Sequence, residues 1–199
     1  MIKQIISSIS LVALTIFSAN FSANAADTLP PIQEMKLTID KIVDAVEANP
    51  GDAKQVERKD ALRTIINPKF NFAKMAELSL GANWNNISDA QKTDFVKTFS
   101  DLLSKTYLTK IETVKRGMVT VEAESIDPKG NKATVKTLVQ SKGDTFPIDY
   151  TMSNETGSWK VYDVSIENIR LVVNYRNEFA AVLRKEGFDG LMERLRNKV

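Results

Sequence analysis

The feature that most constrains this chain is a change of hydrophobic period near residue 118. Upstream, apolar residues recur every three to four positions; from residue 119 to residue 166 they recur at every second one. The first pattern fits one face of a helix and the second fits a half-buried strand. Val119, Val121 and Ala123 alternate with Thr120, Glu122 and Glu124. Ala133, Val135, Thr137 and Val139 alternate with Thr134, Lys136 and Leu138. Phe146, Ile148, Tyr150 and Met152 alternate with Pro147, Asp149 and Thr151, and residues 159–166 make a fourth run. Turn residues separate the runs at 127–131, 141–144 and 154–157. Four strands on short turns predict an antiparallel meander with one buried face. Pro147 then marks an edge or a bulge, and Glu122 and Glu124 fall on the solvated face.

Helices flank this sheet. Met35, Ile39, Ile42, Val43 and Val46 predict a helix over 33–48, stopped by Asn49-Pro50-Gly51. A second is expected over 53–66, broken by Asn67-Pro68, and a third over 72–80, ended by Gly81. Ser88-Asp89-Ala90-Gln91 has the form of a capping box. The helix it opens, to about residue 114, carries Phe95, Phe99, Leu102, Leu103, Tyr107, Ile111 and Val114 over nearly half its circumference. An arc that wide predicts two neighbours, one of them the sheet. After the strands, Asn168 is the expected cap of a helix to about 186, Gly187 ends it, and 189–198 forms a last short helix. The fold class is therefore α+β in one domain: a twisted four-stranded antiparallel sheet closed by helices from both ends of the chain.

At the N-terminus Lys3 precedes an apolar run, and Ala23-Asn24-Ala25 has the A-x-A form of a cleavage site. Residues 1–25 are expected to be a signal peptide, and residues 26–199 the exported domain. The chain has no cysteine, hence no disulfide, thiolate or lipoprotein anchor, and no histidine. A Ser-His-Asp triad and a His-ligated zinc site are unavailable. There is no Gly-rich phosphate loop. Net charge is only +2, which gives no footprint for nucleic acid. No catalytic residue, metal site or cofactor is assigned.

The most conspicuous stretch, WKVYDVSIENIRLVVNYRNEF, runs from Trp159 to Phe179. On its helical part Ile169, Val172, Val173, Phe179 and Leu183 share a face with Arg176. Asp163 is in phase with Trp159 and Val161, so an Asp163–Arg176 contact is expected. Arg176 has two further readings: its head meets an anionic group at a pocket mouth, or its stem packs and its head reaches water. Asp163 with a tyrosine would be the acid–base pair if the chain were an enzyme. The many aromatics and methionines fit either a solid core or a ligand pocket.

Several segments together carry a family resemblance. Phe70 and Phe72 are followed by a small-residue helix ending in Leu80-Gly81, then Trp84, then a long helix ending in Tyr107. Later come Trp159, Tyr162-Asp163-Val164, Asn174-Tyr175-Arg176 and Phe179. In order and spacing these resemble the MlaC, or toluene-tolerance, family of periplasmic phospholipid-binding proteins. One departure is visible: Asn168-Ile169-Arg170-Leu171 stands where the family commonly reads Gly-Val-Ser-Leu. The resemblance implies a cone like that of nuclear transport factor, enclosing an apolar cavity. It implies a soluble carrier in the Gram-negative periplasm that takes up phospholipid by its acyl tails. Such a carrier shuttles lipid between an outer-membrane lipoprotein complex and an inner-membrane MCE-domain ABC transporter, maintaining outer-membrane asymmetry. From phase and family position the expected lipid contacts are Phe72, Met75, Trp84, Phe99, Leu103, Tyr107, Val135, Val139, Ile148, Tyr150, Val161, Val173 and Arg176. A paralogue carrying another, hopanoid-like lipid and an exported interaction module without ligand are the alternatives.

Overall fold

The computed structural model describes residues 29–155 and 157–199. The expected signal peptide lies outside the described residues. The elements run α1 (Pro31–Ala48), α2 (Gln55–Ile66), α3 (Phe72–Leu80), α4 (Asp89–Ile111), β1 (Val119–Ile126), β2 (Lys132–Ser141), β3 (Asp144–Ser153), β4 (Lys160–Ile166), β5 (Ile169–Arg170) and α5 (Leu171–Lys198).

The sheet is an antiparallel meander in the order β1-β2-β3-β4-β5. It has five strands rather than the expected four, because Glu167 and Asn168 form a tight turn and the chain doubles back for two residues. Both have positive φ, 50° and 66°, as a two-residue hairpin of the primed type requires. Asn168 is therefore a turn residue, not a helix cap, and α5 starts at Leu171 after Arg170 in extended backbone.

Two irregularities break strict alternation. In β1 the register slips between Val121 and Ala123, which leaves Glu122 as the extra residue of a bulge. Beyond it the phase inverts, and Glu124 stands opposite Val135. Glu124 is thus not on the solvated face: its Oε2 accepts the Ile32 N–H at 2.9 Å, at the start of α1, where a carboxylate suits both the free donors and the helix dipole. In β4 the slip between Thr151 and Met152 makes Tyr162 the extra residue. Asp163, opposite Thr151, therefore leaves the phase of Val161.

Pro147 lies in an interior strand, yet at a local edge. β4 pairs with β3 only from Ile148 onward, so the N–H that proline lacks has no strand beside it. Its carbonyl, on the same side, accepts from the Glu167 N–H at 3.1 Å.

The helical half is held by its own core. Ser88 accepts from the Gln91 N–H and Gln91 Oε1 from the Ser88 N–H, so the capping box is closed in both directions. The apolar face of α4 packs chiefly on α3 and α5; the sheet is not its second principal neighbour, because the turns carrying Leu103, Tyr107, Leu108 and Ile111 border open space instead. Phe95 and Phe99 are fully buried, with Phe99 edge-on to Tyr175 and Phe179 at 5.1 and 5.5 Å. On α5 the buried stripe is Val172, Tyr175 and Phe179, while Val173, and Ile169 on β5, are exposed; the stripe keeps Val172 and Phe179 and is turned by about half a residue, or ~50°, from the expected face. Gly187 interrupts α5 at φ 68°, and the last turns fold Leu191, Met192 and Leu195 back into this core.

Candidate functional site

The buried residues form two cores that do not merge. One is helical, built on α3, α4 and α5 around Phe95, Phe99 and Phe179. The other is made by the sheet and α1: Met35, Ala133, Val135, Met152, Trp159, Val161 and Val164. A parallel bridge between Phe70 and Val161, with the Asn71 N–H on the Val161 carbonyl at 2.8 Å, hangs α3 on β4 and fixes the spacing. Asn71 also caps α3, accepting from the Lys74 N–H.

Between the two cores lies a cavity of about 680 Å³. Protein interiors are close-packed, with few voids larger than a water molecule. At about 24 cal/mol per Å³, a closed and dry void of this size would forfeit about 16 kcal/mol, more than the stability of most domains. This space is not a packing defect but a container. Its walls are mainly apolar: Met35, Ile39 and Ile42 from α1, Phe70, Phe72 and Met75 around α3, Leu103 and Tyr107 from α4, and Val139, Phe146, Ile148, Tyr150, Met152, Val161 and Val164 from the sheet.

Of the thirteen expected contacts, Phe72, Met75, Leu103, Tyr107, Val139, Ile148, Tyr150 and Val161 border this cavity. The other five lie elsewhere. Phe99 is sealed in the helical core and Val135 in the sheet core. Trp84 packs on the outside of the helical core, with Lys92 Nζ 5.6 Å from its ring centroid. Val173 points outward. Arg176 donates from Nε to the Leu78 carbonyl at 2.8 Å. That carbonyl is in the last turn of α3, where helix acceptors lack partners and a cation is favoured. The arginine stem passes Gly81, where a β-carbon would lie in ordinary contact with it at 3.8 Å; what favours glycine there is its φ of 56°.

The expected Asp163–Arg176 contact is absent; the partner of Asp163 is Arg170. Asp163, 1% exposed, takes Arg170 Nε on Oδ2 at 2.7 Å. Its Oδ1 accepts the Val164 N–H at 2.9 Å and the Val172 N–H at 3.1 Å. The carboxylate thus ties β4 to the first turn of α5. It is not among the cavity-lining groups, and its oxygens are engaged in structure.

Residues of α1, with Met152 and Trp159, were left out of the expected contacts although their signal was present. Met152 and Trp159 share the buried phase of their strands, and Met35, Ile39 and Ile42 share one helical face. What the sequence lacks is any mark that α1 crosses the open side of the sheet. The tyrosine environment fits an apolar container: burial pushes the Tyr150 phenol up to about 12 and raises that of Tyr107. Burial, and then neighbouring Tyr107, raise that of Tyr175. Among the described residues no acidic cluster could hold a metal ion, and no helix is long and apolar enough to cross a membrane.

Fold and cavity define a class: an α+β protein that walls off an apolar space between a meander sheet and a helical layer. The MlaC family model, described as "MlaC protein", matches residues 36–197, and the chain belongs to that family. It is 24% identical over 178 residues to the intermembrane phospholipid transport system binding protein MlaC of Haemophilus influenzae, across 85% of this chain and 82% of that one. It is 25% identical over 132 residues to toluene tolerance protein ttg2D of Pseudomonas putida, across 65% and 61%. Its fold matches that of the phospholipid-binding protein from Ralstonia solanacearum, solved in complex with a phospholipid, with a TM-score of 0.77, 23% identity, and coverage of 85% of this chain and 97% of that one.

Proposed function

We propose that this protein is a periplasmic lipid carrier that binds phospholipid by its acyl tails in the cavity between the two cores. The observation that carries this reading is the cavity itself, about 680 Å³ of mainly apolar space with an open end. Each buried CH₂ is worth about 0.8 kcal/mol, so acyl tails supply ample affinity without a catalytic or polar constellation. The similarity to the Haemophilus phospholipid transport protein and to the Ralstonia phospholipid-binding protein supports the same ligand class. Export by the expected signal peptide places the carrier between two membranes. There it receives and delivers phospholipid at an outer-membrane lipoprotein complex and an inner-membrane MCE-domain ABC transporter, and so maintains outer-membrane asymmetry. The phospholipid contacts are the eight expected residues on the cavity, joined by Met35, Ile39, Met152 and Trp159.

The test is mass spectrometry of the organic extract of mature protein purified from a Gram-negative periplasm. Stoichiometric phospholipid is expected. A clean extract, with no uptake by delipidated protein offered detergent-solubilised phospholipid, would overturn the reading.

A further inference from the structure

Of the seven exposed side chains lining the cavity, five gather at one end, and Asn67 and Glu167 stand apart from them. Thr109 and Lys110 come from the last turn of α4, Thr113 from the connection after it, and Gln140 and Lys142 from the end of β2 and its turn. The Gln140 N–H donates to the Met118 carbonyl at 2.8 Å, which brings the α4–β1 connection beside the β2–β3 hairpin. Met35, Met152, Trp159 and Val161, on the sheet core, are all buried. This end is a polar mouth over an apolar interior, and a lipid entering tails first leaves its headgroup here.

The charges at the mouth are unbalanced. Glu34 and Lys69, which also line the cavity, neutralise each other at 2.6 Å. Among the described residues Lys110 and Lys142 have no such partner. Lys110 sits at the negative end of α4, where any basic residue is favoured. Lys142 has no such reason. It occupies the left-handed region at φ 54°, in a turn position that favours Asn, Asp or Gly, at a cost of about 1 kcal/mol for a residue with a β-carbon. Strained positions of this kind collect at functional sites. The remaining charged lining group, Glu167, stands apart: its backbone pairs at Pro147, opposite Leu138, four residues and roughly 13 Å of strand before Lys142.

We infer that Lys110 and Lys142 form a headgroup subsite at the cavity mouth that selects phospholipids of net negative charge over zwitterionic ones. The inference rests on the phospholipid-carrier reading and specifies its substrate class. The experiment reloads delipidated protein from detergent micelles holding equal amounts of phosphatidylglycerol and phosphatidylethanolamine with the same acyl chains, then quantifies bound lipid by mass spectrometry. Wild type is expected to take up the anionic lipid at least about threefold in excess. The Lys110→Gln/Lys142→Gln protein is expected to bind the same total at the input ratio. Substituting Lys142→Asn, which suits the turn, separates loss of charge from loss of fold and lowers the excess by itself. Equal uptake by wild type, or an excess that survives the double substitution, overturns the subsite and leaves the carrier reading standing. No uptake of either lipid by wild type overturns the carrier reading, and the subsite with it.

Discussion

At the residue scale, Asp163 is the buried polar group that ties β4 to β5 and α5. One buried carboxylate accepts two backbone N–H groups and a guanidinium. Asp163→Ala strands two buried donors and is expected to cost about 3 kcal/mol in urea denaturation, with Asp163→Asn costing about half as much because an acceptor oxygen remains. Arg170→Ala should cost less than about 1 kcal/mol, since the arginine head is half in water. If the arginine change proves the most damaging, the carboxylate is not the organising group. The residue in the β4–β5 turn also has a physical sense at this scale. Asn168 is the non-glycine residue best suited to its φ of 66°. A second prediction concerns pH. The Tyr150 phenol ionises near 10 when unfolded but near 12 in the fold, so the stability linked to its burial is whole below pH 10 and is lost as pH rises toward 12. The phenolate absorbance contributed by Tyr150, taken as wild type minus Tyr150→Phe, should then rise with unfolding rather than before it, and Tyr150→Phe should flatten the stability loss in that window.

At the element scale, most of the fold was legible in the sequence, and the failures have local causes. The capping box at Ser88 and the period-2 runs specify their elements through backbone chemistry, and both are present as read. The bulges at Glu122 and Tyr162 were illegible because a slip of one residue leaves the pattern on either side intact; only its phase relative to a partner strand changes. That slip misplaced Glu124 and moved Asp163 out of reach of the predicted partner. The rotated face of α5 has the same origin, since a two-residue hairpin stands where a cap was expected. The cavity was only half legible: hydrophobic periodicity says which side chains turn inward, not whether the two inward-facing layers touch. Gly187 gives a prediction at this scale. At φ 68° and ψ −171° it occupies backbone that is almost exclusive to glycine. Gly187→Ala should cost about 1–3 kcal/mol in thermal denaturation, by forcing the final turns off the helical core. An unchanged midpoint would mean that the kink is not a feature of the folded protein.

At the scale of the whole molecule, a container between two cores makes stability and occupancy the same quantity. A ligand bound only by the folded state adds about 2.7 kcal/mol at a hundredfold excess over Kd, so delipidated protein is expected to unfold at a lower temperature and to recover on reloading. Val139→Trp places an indole in the cavity near its polar end. It should lower bound lipid several-fold while leaving the lipid-free protein at least as stable as wild type. A variant that keeps its lipid would show that the tails lie elsewhere.

The meander has a further consequence, for the timing of folding. Every strand pairs with its neighbour in sequence, so the sheet needs only short loop closures and can form early. The helical core must wait for α5 to return to α3 and α4, elements that end 60 or more positions before it begins. The chain's two tryptophans report on the two events separately, Trp159 in the sheet core and Trp84 against the helical one. In stopped-flow refolding of single-tryptophan variants, Trp159 fluorescence should change first and Trp84 fluorescence later. Because the cavity exists only where the two halves face each other, capacity for cargo arrives with the slower phase, and a nascent molecule passes through an interval in which its sheet is built but it can carry nothing.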